Sequence, residues 1–434
     1  MAAPRARQLL ARAALVLATL PTLAAAQQVD LTLADAVQRA LEVQPAIVQA
    51  RGDQRNARAG QRSANGAFFP TINLGGSSNN GSNARYNSST GEITAALSKT
   101  SYSGSLALSL DLFDGLRRFG NRSAADATLD AAEAGLVNQR YQVTAATAQI
   151  FFTALADEDL VRVAESQLQR AKQNLQISVN RFAVGATLRS DTLTATVDLG
   201  TAQLTLLQAR GNLATAQANL GRQVGVDGPV RAVRDSLLAP PPDTTALRAQ
   251  VLDASPQIQQ AEAQARAAGA QVRVARAEYW PTLSASYSNG YSGLEAPWSS
   301  SPNYLNNWAL RFSVSWMLFN GFAREGNQVS ASVQRDVAEA HAADLRRQLN
   351  ALFTQQTAAL FTASAQIGFA DANVAAAGEA LRVQQDRYRL GAGTLLDLLT
   401  AEANLTEAQV TQVQARYDYL NARAQLEALV GHSL

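Results

Sequence analysis

Much of this chain is written twice. "RFAVGATLRSDTLTATVDLGTAQLTLLQARGNLATAQANLGRQVG" begins at Arg181 and "RYRLGAGTLLDLLTAEANLTEAQVTQVQARYDYLNARAQLEALVG" at Arg387; laid together without a gap, they agree at 19 of 45 positions. Shorter pairs follow in the same order. "QPAI" at Gln44 answers "SPQI" at Ser255, "FFPT" at Phe68 answers "YWPT" at Tyr279, and "LDLFDG" at Leu110 answers "WMLFNG" at Trp316. A repeat of this kind means that each copy is a unit which buries its faces against its neighbour. Residues 27–225 form the first repeat and 245–434 the second, with a linker at 226–244 marked by Pro240, Pro241 and Pro242. Each repeat reads helix, strand, loop, strand, long helix, turn, helix.

The strands fall at about 69–78, 104–114, 281–291 and 306–320. In the second, Leu106, Leu108, Leu110 and Leu112 alternate with Ser105, Ala107, Ser109 and Asp111. In the fourth, Leu310, Phe312, Val314 and Trp316 alternate with Ala309, Arg311, Ser313 and Ser315. A period of two gives each strand one apolar and one polar face. Aromatic residues bracket the strands: Phe68, Trp280 and Phe319 at one end, Tyr291, Trp298 and Tyr304 at the other.

Most of the rest reads as helix. No proline interrupts Leu116 to Arg181 or Phe322 to Arg387. Such a run, at 1.5 Å per residue, is about 100 Å long, far beyond a globular domain. The shorter helices, about 33–63, 187–224, 245–277 and 394–430, stack in pairs beside a long one. The last carries two apolar seams at coiled-coil spacing, Ala403, Val410, Val413, Tyr417, Leu420 and Ala424 on one side, Leu405, Ala415, Tyr419 and Leu426 on another. A helix with two narrow seams touches a neighbour on each side and builds a wall. With only 17% charged and 6% aromatic residues, the helices offer no broad apolar face to receive the sheet. The apolar face of the strands therefore turns to lipid.

Residues 1–26 read as an export signal: Arg5, Arg7 and Arg12, an apolar run from Ala13 to Leu20, then small residues before Gln27. Losing its three arginines takes the formal charge from +2 to −1, so no nucleic-acid footprint is left. There is no cysteine for a disulfide or a lipid anchor. Four strands cannot close a membrane barrel, whose minimum is about eight, and open edges in lipid are costly. Copies of the chain must pool their strands.

The duplicated layout, "FFPT" with "YWPT", "LFDG" with "LFNG", and the two turns "RFAVGATLRSD" and "RYRLGAGTLLD" together resemble the TolC-like outer-membrane efflux factors. The resemblance covers essentially the whole mature chain. It implies a mostly α fold with membrane β: tandem-duplicated long α-helical coiled-coil hairpins and four strands per protomer, three protomers forming a twelve-stranded β-barrel on an α-helical barrel. It implies a homotrimer in outer-membrane lipid, working with a periplasmic adaptor and an inner-membrane pump or ABC transporter, without nucleic acid and without a cofactor. The expected function is a passive export duct for efflux or type I secretion. A periplasmic coiled-coil scaffold or adaptor with a small soluble sheet is the alternative.

By the same resemblance the helix–turn–helix tips form the periplasmic mouth, and Phe182, Val184, Gly185, Tyr388, Leu390 and Gly391 would contact the adaptor. Asp397 matches an acidic ring at the constriction, and Asp191 is its duplicate. Asp397 also completes a T-x-x-D capping pattern with Thr394, so a purely structural role is an equal expectation. Thr400 and Gly393 stand where the family pattern has a second acid and a basic residue. Leu106, Leu108, Leu110, Leu112, Leu310, Phe312, Val314 and Trp316 are the expected lipid-facing residues, with Arg311 and Asp111 in the lumen. Nothing reads as catalytic: His341 and His432 are far apart, and "GAGT" at Gly391 lacks the rest of a phosphate loop.

Overall fold

The computed structural model describes residues 29–82, 85–94, 99–234, 240–242, 247–248, 255–300 and 303–431. The expected export signal and His432 lie outside them. From the amino end, β1 (Val29–Leu31) leads into α1 (Leu33–Val43) and α2 (Pro45–Gly66), where the sequence suggested one continuous helix. Pro45 sits in the first turn of α2 and holds Gln44 in extended backbone, which ends α1. Then come β2 (Thr71–Gly81), the small hairpin β3 (Arg85–Asn87) and β4 (Glu92–Thr94), β5 (Lys99–Phe113), α3 (Arg117–Ala183) and α4 (Arg189–Val224). The second repeat follows β6 (Val230–Ala232) with α5 (Pro256–Arg276), β7 (Thr282–Gly293), β8 (Leu305–Ser315), α6 (Ala323–Arg389) and α7 (Leu395–Val430).

α3 and α6 are each 67 residues long. Both start from the same device. Gly115 and Leu116 have φ of 69° and 70°, and Gly321 and Phe322 both have φ of 66°. Two successive left-handed residues turn the strand into the helix, and the first must be cheap, hence glycine. Asp114 and Asn320 then accept from the backbone N–H of Arg118 (3.0 Å) and Arg324 (3.4 Å), satisfying orphan donors of the first turn. This is the physical content of "LFDG" and "LFNG".

Part of the stretch read as a linker is structural. β6 pairs in parallel with β1, Val29 opposite Val230. Arg234 donates to Asp159 Oδ2 at 2.6 Å and to the Tyr417 hydroxyl at 2.8 Å, tying the crossing to the middle of α3 and α7. The main core lies at this level: Phe151, Phe152 and Leu155 of α3, Leu220 and Val224 of α4, Val413 and Tyr417 of α7.

The four long strands form one antiparallel sheet, ordered β2-β5-β7-β8. Two of the expected strand assignments need correction. β8 ends at Ser315, so Trp316 is not a strand residue; its indole N–H donates to the Tyr279 carbonyl at 3.2 Å in the turn toward α6. In β5 the register slips between Asp111 and Phe113, so Phe113, not Leu112, opposes Leu283. Leu112 is the extra residue of a bulge, which breaks the leucine alternation at the helix end of the sheet.

Candidate functional site

Two places carry the features a duct would use, the sheet faces and the helical tips. In the sheet, Leu108, Tyr287 and Leu310 stand in one cross-strand row, as do Leu110, Ala285 and Phe312. Ile72 extends the first row onto β2, opposite Leu108, and Leu74 stands opposite Leu106 in the row beside it. Side chains directly opposite share a face, so the apolar residues of all four strands form one continuous surface. Leu310, Phe312 and Val314 are each more than half exposed. The other face carries Ser109, Ser286 and Arg311 in one row and Asp111, Ser284 and Ser313 in the next.

At the tips, the two turns are copies. Ala186 N–H donates to the Arg181 carbonyl and Ala392 N–H to the Arg387 carbonyl, both at 2.8 Å. Gly185 and Gly391 take φ of 69° and 79°, the left-handed close that this helix ending requires. The turns present apolar side chains outward: Val184 and Leu390 are 78% and 84% exposed, and Phe182 is also exposed.

Tyr388 departs from its expected role. It is 2% exposed, so it cannot be a contact residue on the tip surface. Its hydroxyl lies 3.1 Å from Ser178 Oγ, the Arg181 guanidinium stacks 4.6 Å from its ring, and Arg181 also donates to its carbonyl. Tyr388 thus pins the second hairpin, α6 and α7, to the first, α3 and α4, from behind the tips. Reading along the sequence missed this, because Ser178 and Arg181 come from the other repeat. It also missed Leu188 and Leu396, both exposed at the tips. The signal was there in "TLLD": adjacent residues on a helix point in different directions, and here Leu395 is the inner one while Leu396 is exposed.

Asp397 and Asp191 differ in detail. Asp397 forms a full capping box: its N–H donates to Thr394 Oγ1 at 3.1 Å, and its carboxylate accepts from the Thr394 N–H at 3.2 Å. The Thr394 hydroxyl, the Thr394 backbone and Arg387 hold its carboxyl below the usual carboxylate range. In the first tip threonine comes one position earlier, and Thr187 donates to the Asp191 carboxylate instead. Among the described residues no cluster of His, Cys, Asp or Glu is set to hold a metal, and no helix is long and apolar enough to cross a membrane.

The pattern of the family described as "Outer membrane efflux protein" matches residues 36–226 and 247–432. The chain belongs to that family. An outer membrane efflux protein of this kind is an outer-membrane channel reaching into the periplasm, a passive member of efflux or type I secretion systems. The probable efflux pump outer membrane protein TtgC of Pseudomonas putida is 23% identical over 394 residues, 86% of this chain and 77% of TtgC. Protein CyaE of Bordetella pertussis is 28% identical over 410 residues, 88% of this chain and 80% of CyaE. The solved structure of VceC from Vibrio cholerae shares the fold, with a TM-score of 0.78 at 21% identity, covering 92% of this chain and 96% of VceC.

Proposed function

We propose that three copies of this outer membrane efflux protein close their sheets into a twelve-stranded barrel, continued by the helices as a tunnel across the periplasm. The observation that carries the reading is a sheet with one apolar face whose outer strands, β2 and β8, are both edges. Unpaired backbone in lipid costs several kcal/mol per group, so the edges need partners. β2 and β8 run in opposite directions, so β8 of one copy meets β2 of the next antiparallel, as a membrane barrel requires. Eight strands leave an interior that side chains fill; twelve leave a passage. That favours three copies over two.

The helices support the same closure. Val413 of α7 is buried in a core with Leu155 of α3. In the duplicated positions, Leu207 of α4 and Phe361 of α6 are exposed. The first pair is a filled seam and the second its unfilled copy, so α4 of one protomer seats against α6 of the next. Serine, asparagine, Arg311 and Asp111 then line the barrel, and Asp397 with Asp191 rings the periplasmic mouth. Phe182, Val184, Gly185, Leu390 and Gly391 meet the adaptor of an inner-membrane pump or ABC transporter, which supplies the energy. The duct itself performs no reaction. Relatives named for toluene efflux, pyoverdine export and alkaline protease secretion share this frame, so the partners, not the wall, choose the cargo.

The chain has no cysteine, which makes closure directly testable. Single cysteines scanned along β2 and β8, combined in one chain and oxidised in membranes, are expected to give covalent trimers. Recovery of uncrosslinked monomer alone, or release of the protein into a detergent-free periplasmic extract, refutes the reading.

A further inference from the structure

About two helical turns above the tips, the seam between α3, α4 and α7 holds buried charge. Glu402 of α7 is 7% exposed and Asn174 of α3 is 3% exposed. Arg170 of α3 reaches across and donates to Thr406 Oγ1 of α7 at 2.9 Å, yet its Nε has no partner. Asn174 Nδ2 and Glu402 Oε1 also lack a well-formed hydrogen bond. Asn174 stands close enough to Glu402 to lower its carboxyl but short of good hydrogen-bond geometry, and Arg170 Nε in the same seam has no acceptor. A half-satisfied buried network is less stable than either a complete one or an apolar core. It makes sense if a second position of the helices completes it.

Burial raises the Glu402 carboxyl above its usual range and Asp198 of α4 adds to this, while the Asn174 amide and the Arg170 guanidinium pull it down. Asp198 is itself raised by burial, and Arg170 is lowered by burial against the attraction of Glu402. From α6 the same cluster receives the apolar Leu381, beside Leu398, Ala401 and Leu405. The duplicated seam has no such chemistry: Thr196, Ala376 and Ala380 stand where Glu402, Arg170 and Asn174 stand here.

We propose that Glu402, Arg170 and Asn174 are a two-position catch, in which a short slide of α7 along α3 brings the Glu402 carboxylate fully onto Arg170 Nε and the Asn174 amide and sets the spacing of the two helical tips. This rests on the tips being the mouth of the duct. Ionised Glu402 engages the catch; protonated Glu402 has no charge to offer Arg170 and releases it. Engagement therefore belongs to neutral pH and release to acid.

The test is a spin-label distance between cysteines at Val184 and Leu390 in the full chain, reconstituted in lipid nanodiscs, from neutral to acid pH. The parent is expected to shift its main distance by roughly 2–5 Å on acidification. Glu402→Gln should stay at the acid distance throughout, and Asp397→Asn should shift like the parent. Two milder variants keep the charge pair and move the midpoint in opposite senses. Asp198→Asn lowers it, since a raising charge is lost; Asn174→Ala raises it, since a lowering donor is lost. A parent distance that ignores pH overturns the catch, as does a Glu402→Gln variant that shifts like the parent or unmoved midpoints in the two milder ones. The distance is read wherever the tips point. A static result therefore sinks the catch and leaves the duct, whereas failure of the cysteine closure removes the mouth and leaves a hinge between hairpins.

Discussion

Replacing Phe312 by arginine and, separately, its neighbour Ser313 by arginine asks which medium each face of the sheet meets. Phe312 is 64% exposed and opposes Ala285, which in turn opposes Leu110. Along β8 the apolar row runs from Trp308 to Val314. At about 3.4 Å per residue it is roughly 20 Å long, which at a barrel strand's tilt of about 40° spans roughly 15 Å of the roughly 25 Å apolar band of outer-membrane barrels. Phe312 lies about 13 Å from one end and 7 Å from the other on that spacing, inside the band but off its centre. Arginine on the lipid face costs about 2–4 kcal/mol at the midplane and less toward the edges, so about 2–3 kcal/mol per copy is expected. Three copies would lose roughly 6–9 kcal/mol per trimer. Ser313 lies on the polar face, which the proposed barrel turns to its lumen, and an added arginine there should stay within about 0.5 kcal/mol. Guanidinium unfolding of protein folded into lipid vesicles, followed by tryptophan emission, measures both. Equal losses for the two variants, or a larger one at Ser313, would refute the lipid-facing assignment. A soluble sheet with Phe312 in water would also tolerate arginine there, so the same pair separates the duct from the scaffold.

Tyr388→Phe removes only the hydroxyl contact with Ser178, worth about 0.5–1.5 kcal/mol, whereas Tyr388→Ala empties a buried ring site worth about 3–5 kcal/mol. Single-channel conductance should therefore stay near parental in the first and rise in the second; parental conductance for Tyr388→Ala would show that the pin does not hold the mouth. Because the Asp397 carboxyl is held low, its capping contribution is complete above the ordinary carboxylate range and is lost as pH falls through its lower folded value. Cation preference, read as reversal potential in a salt gradient, should thus persist into acid where ordinary carboxylates fade, and Asp397→Asn should weaken it and remove that acid-resistant part. Leu207→Asp should put a charge into the seam between copies and release monomer on a native gel, with helical content unchanged by circular dichroism.

Single-residue patterns were legible wherever the cause was local. The alternation of Leu106, Leu108 and Leu110, the capping pair Thr394 and Asp397, and the glycines of the two tips all follow from backbone rules acting over a few residues. The break at Gln44 was local too, and the proline after it was the sign. What sequence could not supply is partnership across the repeats. Trp316 continued the apolar alternation of β8 and looked like strand until its indole bonded Tyr279. Tyr388 looked like a surface aromatic until Ser178 and Arg181 closed over it. Glu402 resembled any exposed helix acid until three helices met around it.

Val413 and Leu207 occupy equivalent positions on equivalent helices, yet the first is 8% exposed and the second 69%. Sequence alone gives both the same apolar code, and burial distinguishes them because α7 packs against both long helices of its own chain, whereas α4 packs against α3 and has no comparable contact with α6. Evolutionary drift has had no need to make Leu207 polar if another copy covers it, and water would penalise keeping it apolar otherwise. The unequal exposure of equal residues is the observation on which the proposed contact between copies rests. The reverse holds for Glu402 and Thr196, where equal positions carry unequal chemistry. In the proposed assembly, the seam within each protomer carries a charge whose counterpart between protomers is absent, which places the proposed catch between α7 and α3 of one chain.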